Sequence, residues 1–339
     1  MKAATASSVP ARSPATSSAA GRYDRRSARR GDEPVALLTR TDPSPSRGAR
    51  FSADSFGEVS ARRYKLFEPA SRSTADAPML VLLHGCQQGA DDFATATCMN
   101  EAAEAAGVVV LYPEQSMGAH PLRCWNWYTP QDPCNPIGDA ALIAAMTRAL
   151  AVEHSIDPAR IYVAGMSAGG AMAALLARDY PQLFAAFGVH SGMPAGLAHD
   201  MGSAIRLMHN GPMASRSDGE VARHAGLGSA IASIVFHGDD DVMVHPSNGA
   251  AIHAAAGAAS RRAMQLTVKS ASSNKRGYTR RVEMRAGGVT QHELWIVHGA
   301  GHDWSGGTAG TLQTAADGPH ASREMLRFFL QHRLRDEHA

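Results

Sequence analysis

Aromatic residues are scarce in this chain of 339 residues: Trp, Tyr and Phe make up 6% of it, with only 4 Trp. Recognition by flat ring faces must therefore fall to a few named positions. Cysteine is equally sparse, 4 in all, at Cys86, Cys98, Cys124 and Cys134. None belongs to a C-x-x-C pair or a Cys/His cluster, which argues against a zinc site of the usual ligand spacing. No apolar run approaches the ~18 residues that span a bilayer, so no membrane partner is expected. There are no internal repeats. Charge of one sign is not in excess, since the formal net charge is +2. That figure hides an asymmetry: residues 1–50 carry ten Lys/Arg and four Asp/Glu, a balance of +6, leaving −4 for the remainder.

The first 50 residues are rich in Ser, Ala, Arg and Pro, and their longest apolar run is Val35-Ala36-Leu37-Leu38. Such a segment buries too little surface to offset the entropy of ordering. Residues 1–50 are expected to be a disordered basic tail, followed by a single globular domain over 51–335. No hydrophobic stretch follows Arg25-Arg26 and Arg29-Arg30, which argues against a twin-arginine export signal. With no readable signal peptide, a cytoplasmic location is the default expectation. The tail's charge suits nucleic acid or an anionic surface, but an inert tail and no nucleic-acid partner are expected.

What the chain has in quantity is alternation. Apolar runs at Met79–His84, Val108–Tyr112, Ile161–Ala164, Phe184–His190, Ile231–His237 and Leu294–His298 read as buried strands. Alanine-rich stretches between them, clearest at Asp139–His154 and Ala168–Asp179, read as helices, with Asp91 and Asp139 as N-caps. Strands alternating with helices predict an α/β fold, a mostly parallel central sheet with helices on both faces. Thr279–Arg285 and Gln291–Val297 predict an antiparallel hairpin at the sheet's end, and Ala321–Arg333 a final helix. Ala195–Gly228 and Ala258–Tyr278 are the least regular stretches and are expected to be loops or a cap beside the site.

Between the third of these strands and the helix that follows stands Gly165-Met166-Ser167-Ala168-Gly169. Small residues match G-x-S-x-G often by chance, but in a strand-to-helix turn the pattern has a mechanical reason. The glycines permit the sharp turn and the close helix, and the serine Oγ is presented at its tip. Ser167 is the candidate nucleophile. A serine hydroxyl needs a histidine to take its proton and an acid to orient that histidine. In α/β-hydrolases they follow in the order Ser, Asp, His. Of the 16 His, those at 84, 237, 298 and 302 fall at strand ends. Only His302 lies in a glycine-flanked loop, Gly299–Gly307. The pattern G-x-x-D-x-x-V places the acid at Asp241, with Val244 completing it. Asp239 is the alternative and Asp240 the least favoured, because adjacent carboxylates repel and at most one is expected to be buried against a histidine. An oxyanion hole needs two N–H donors. Ala168 supplies one at the helix N-terminus. The turn Gly85-Cys86-Gln87-Gln88 supplies the other, from Cys86 or, failing that, Gln87.

The chain resembles the polyhydroxybutyrate-depolymerase-like esterases, α/β-hydrolases related to feruloyl and acetylxylan esterases. The resemblance runs from about Phe51 to Arg333. It rests on Leu83-His84-Gly85-Cys86, Leu111-Tyr112-Pro113-Glu114-Gln115, Arg123-Cys124-Trp125-Asn126-Trp127, Gly165–Gly170, Phe236–Asp239 with Val244–Gly249, and Gly301–Gly307. It implies the α/β-hydrolase fold and a cofactor-free serine esterase, with Ser167 as nucleophile, His302 as base, Asp241 as orienting acid and Cys86 in the oxyanion loop. An ester or polyester, above all of short hydroxyalkanoates, is the implied substrate. A feruloyl or acetylxylan ester is the second enzymatic reading, and a non-catalytic protein binding polymer or storage granules the third. Asp303 departs from the family's small apolar residue and puts an extra carboxylate beside His302. Cys86 and Cys124 lie in motifs that border the implied site, so a bridge between them is expected to brace the oxyanion loop, with Cys98–Cys134 as a second pair. Bridges would point to an oxidising compartment, against the default. Trp125, Trp127 and Trp304 lie in motif segments and are expected to offer rings to the substrate.

Overall fold

The computed structural model describes residues 48–57, 61–73, 75–129, 138–212, 231–257, 264–272, 275–285, 287–311 and 313–334. The basic tail (except residues 48–50), Cys134 and much of the irregular stretch 195–228 lie outside them. Every residue of strand β3 (Ala77–Leu83) is buried, which requires cover on both faces. Its side chains divide accordingly. Met79, Val81 and Leu83 enter one core, and Leu80 and Leu82 enter the other, the period of 2 that a strand imposes.

Among the described residues, ten strands form one sheet. Beyond β3 they are β1 (Arg50–Phe56), β2 (Arg62–Glu68), β4 (Val109–Pro113), β5 (Ile156–Met166), β6 (Ala186–His190), β7 (Ala232–Gly238), β8 (Met264–Ser272), β9 (Lys275–Met284) and β10 (Thr290–Val297). Their order is β1-β2-β4-β3-β5-β6-β7-β10-β9-β8. From β4 to β10 each neighbouring pair is parallel, and the outer pairs are antiparallel. Helices α3 (Asp139–Glu153), α4 (Ala168–Asp179), α5 (Met201–Asn210) and α6 (Ser247–Gly257) contribute to the first core. Helices α1 (Ala90–Thr97), α2 (Met99–Ala106) and α7 (Ala321–Phe329) contribute to the second. This is the expected α/β-hydrolase arrangement, with the strand C-termini of β3, β5, β6, β7 and β10 gathered along one edge.

Two local expectations fail. Neither Asp91 nor Asp139 caps a helix: the N-caps of α1 and α3 are Gly89 and Gly138, without a side-chain cap bond. Asp139 is buried instead, where it pairs with Arg62 (2.9 Å) and accepts from Gln115 Nε2 (2.6 Å) and Asn126 N–H (3.0 Å). A carboxylate already engaged by a guanidinium and two amides has no reason to turn back onto its own helix. The stretch 258–278 is also more regular than expected, since β8 pairs antiparallel with β9 through Met264↔Met284 to Ser272↔Lys275. Met264, Leu266 and Val268 do alternate with polar residues as a strand requires, but the run is short and gives way to Ser270-Ala271-Ser272.

Candidate active site

Ser167 sits between β5 and α4 with φ 55° and ψ −121°, a backbone state few non-glycine residues adopt. The surroundings enforce it. Ser167 N–H donates to His190 O (2.9 Å), and the flanking glycines admit no side chain. A Cβ on Gly165 would lie 2.5 Å from the Gly169 carbonyl, and one on Gly169 would lie 2.2 Å from Leu83 O. The turn is therefore pressed between β5 and β3, and the serine Cβ comes close to Gly85 at the head of the next loop.

Asp241 and His302 meet. Parallel pairing of β7 with β10 brings their following loops side by side, and two backbone bonds tie them: Asp239 N–H to Val297 O (3.2 Å) and Asp240 N–H to Ala300 O (3.0 Å). His302 Nδ1 donates to Asp241 Oδ2 at 2.8 Å. Asp241 Oδ1 accepts from the N–H groups of Met243 (2.9 Å) and Val244 (2.8 Å). Burial opposes charge on this carboxyl. The bonds from His237 and His302, the His302 charge and the Val244 N–H outweigh it and hold Asp241 far below the usual carboxylate range. The alternative acid, Asp239, is engaged elsewhere, with His298 Nδ1 (2.8 Å) and Gly299 N–H (2.7 Å). Asp303 makes no hydrogen bond to His302 among the described residues.

The loop after β3, where an oxyanion donor is expected at Cys86, is bound to the loop 114–127. Cys86 and Cys124 form a disulfide, Trp125 Nε1 donates to His84 O (3.0 Å), and Gln115 N–H donates to His84 Nε2 (3.1 Å). Gln87 N–H donates to Leu122 O (2.8 Å), which removes it as the alternative oxyanion donor. Among the described residues, neither Cys86 N–H nor Ala168 N–H meets an acceptor. Cys98 carries a free thiol, so it does not join Cys134.

The tryptophans are not substrate-facing rings. Trp125 and Trp304 are 0% exposed and Trp127 6%; the first two are held by their indole N–H groups, on His84 O and Ser322 Oγ. Large rings in a chain with few of them are drawn into the two cores. Apolar side chains do stand exposed on the site's loops, but they are aliphatic. Val242 (84%) and Met243 (51%) follow the acid, and Leu122 (53%) lies beside the oxyanion loop.

His190 is not singled out by the sequence for a role at the site. It ends β6, accepts Ser305 N–H through Nε2 (3.0 Å) and stacks on Trp304 with ring centroids 4.9 Å apart. Its backbone oxygen holds Ser167 and its ring holds the loop of His302. The only available signal was a histidine closing an apolar strand, shared with His84 and His237. Burial pushes His190 down to about 3 and His84 to about 4, so both stay neutral braces. Among the described residues no cluster of three His, Cys, Asp or Glu is arranged to hold a metal ion, and no helix is long and apolar enough to cross a membrane.

Residues 62–294 match the profile of the family described as Esterase PHB depolymerase. The chain belongs to that esterase family. Among curated relatives, poly(3-hydroxyalkanoate) depolymerase C of Paucimonas lemoignei is 35% identical over 178 residues, covering 51% of this chain and 43% of that protein. Feruloyl esterase B of Thermothelomyces thermophilus is 31% identical over 179 residues, 50% of this chain and 60% of that protein. The esterase chain thus spans about half the length of the curated relatives it matches. Acetyl xylan esterase from Aspergillus awamori shares its fold with TM-score 0.63 and 17% identity, over 83% of this chain and 99% of that one.

The site's construction also governs stability. Burial pushes His253 to about 4 and His292 to about 3, as it does His84 and His190. Unfolded histidines titrate near ~6.5. Below that pH the unfolded chain binds protons that the folded chain refuses, so stability falls as pH drops from about 6.5 toward 4, and these groups add no slope above it. Urea midpoints at pH 7.5, 6.0 and 5.0 check this; a flat series contradicts it. Replacing both Cys86 and Cys124 by Ser opens a bridge of sequence separation 38. It is expected to lower the unfolding free energy by about 3 kcal/mol, and an unchanged urea midpoint would contradict the bracing role.

Proposed function

We propose that the esterase is a serine carboxylester hydrolase for short-chain hydroxyalkanoate esters of the 3-hydroxybutyrate type, as polyester or oligoester. Its catalytic domain runs over residues 51–335. Ser167 Oγ attacks the ester carbonyl while His302 Nε2 accepts its proton. Asp241 fixes the Nδ1–H tautomer of His302 and stabilises the imidazolium. The free N–H groups of Cys86 and Ala168 are suited to receive the oxyanion. His302 returns the proton to the leaving alcohol, and water activated by the same ring releases the acyl-enzyme. No cofactor enters these steps.

The observation that carries this reading is the buried Asp241 carboxylate on His302 Nδ1 at 2.8 Å, in a chain that also holds a serine at positive φ in a G-x-S-x-G turn. The name of the hydroxyalkanoate depolymerase relative supports the substrate class. So do the aliphatic Leu122, Val242 and Met243, which suit methyl-branched acyl chains better than a feruloyl ring. The Cys86–Cys124 bridge favours an oxidising compartment over the cytoplasm.

A fluorophosphonate is expected to label the native chain, and Ser167→Ala to abolish labelling and lower kcat by about 10⁴-fold or more. Labelling that survives the substitution would overturn the assignment. Hydroxybutyrate oligomers, methyl ferulate and acetylated xylan, assayed in parallel, should rank in that order of kcat/KM. Preference for either of the last two would reassign the substrate.

A further inference from the structure

Asp241 is approached by a second histidine. His237, at the end of β7, directs Nε2 toward Val244 O at 2.9 Å and, more loosely, toward Asp241 Oδ2 at 3.4 Å. Both neighbours are acceptors, so Nε2 carries the hydrogen and shares it between them. The other ring nitrogen is closed off. Nδ1 is buried and, among the described residues, has no hydrogen-bond partner. It faces the first turn of α6, where a Cβ on Gly249 would lie 2.6 Å from it. A hydrogen placed there would meet no acceptor among the described residues. The geometry therefore puts the hydrogen on Nε2, which makes the ring a fixed donor.

The ring's orientation matters because of what the carboxylate must do. Oδ1 is held by two backbone N–H groups of its own loop. Oδ2 carries the bond to His302. Without a further contact on Oδ2, the carboxylate could swing about the bond that joins it to the loop. The base would follow it. His237 touches that oxygen and, through Val244 O, the loop that supplies the N–H donors. His190 of β6 lies near enough to interact electrostatically with Asp241, His237 and His302, while Asp239 is turned away onto His298. Gly249 presents no side chain.

We propose that His237 is a positioning residue: its fixed Nε2–H steadies the Asp241 carboxylate against His302 and tempers its negative field. This rests on the assignment of Ser167, His302 and Asp241 made above. Loss of the donor leaves Asp241 a stronger acceptor, so the imidazolium of His302 is favoured and the acid limb of the kcat/KM profile moves to higher pH.

The test compares His237→Leu, His237→Gln and Gly249→Ala in the full chain, with Ser167→Ala alongside. Gln can place an amide N–H near the position of Nε2, whereas Leu cannot, and the methyl group added by Gly249→Ala pushes the intact ring aside. His237→Leu is expected to lose about tenfold in kcat, the scale of one hydrogen bond, with the acid limb displaced upward. His237→Gln should recover most of both, and Gly249→Ala should displace the limb in the same direction. An acid limb in His237→Leu that coincides with the native one, or a Gln variant no better than Leu, overturns the proposal. Should the Leu variant fail to fold, Gly249→Ala decides by the same criterion. Full activity in Ser167→Ala would refute the underlying triad instead, so the two failures are told apart.

Discussion

A buried carboxylate survives only where donors surround it, and Asp241 has them: two backbone N–H groups on one oxygen and two imidazoles on the other. Among the described residues its ion-pair partners are histidines alone. That matters chemically. A guanidinium on Asp241 would offset the charge that the proposed mechanism asks it to present to His302, whereas backbone N–H and imidazole donors hold the carboxylate and leave that charge to be felt. The rest of the site keeps this arrangement in place. Parallel β7 and β10 deliver the loops of Asp241 and His302 side by side, and the backbone bonds Asp239–Val297 and Asp240–Ala300 fasten them.

Histidines recur as braces. His84 ends β3's apolar run and accepts Gln115 N–H, His190 ends β6 and accepts Ser305 N–H, and His237 ends its run in β7 and donates to Val244 O. Each stands where a buried strand gives way to a loop of the site. An imidazole suits that place because it is apolar enough to stack, as His190 does on Trp304, and still offers one nitrogen to a backbone group. His84 and His190 are kept neutral by burial, so the scaffold does not titrate together with the base it supports. Disulfide, indole and glutamine contacts add a second fastening at the oxyanion loop, where the loop 114–127 grips the turn at Cys86.

The sheet was legible in the sequence because parallel strands buried on both faces appear as continuous apolar runs, as in β3 and β7. The candidate residues Ser167, Asp241 and His302 stand out in the sequence for a different reason: each lies in a glycine-containing turn, and at Gly165 and Gly169 the glycines have steric causes. Side-chain destinations were harder to see. Asp139 has the local look of a cap but lies within reach of Arg62, 77 positions away. The tryptophans cluster in motif segments near the site, yet their role is to pack beneath its loops. Nothing local sets His190 apart from the other histidines that close apolar strands; its partners Ser167 and Ser305 come from two separate loops. In the outer hairpin the Thr279–Met284 part of β9 was legible; β8 was not, its alternation of Met264, Leu266 and Val268 with polar residues being short and breaking down at Ser270.

The proposed mechanism requires one hydroxyl, one imidazole and two amide hydrogens to converge on a single reacting carbon. A crystal structure of the chain phosphonylated by a fluorophosphonate tests that convergence most directly. Phosphorus is expected to be bonded to Ser167 Oγ, its oxygen accepting from the N–H groups of Cys86 and Ala168 at about 2.7–3.1 Å, with His302 Nε2 within hydrogen-bond reach of Ser167 Oγ. Phosphorus on another residue, or an imidazole of His302 remote from the adduct while still bonded to Asp241, would contradict it.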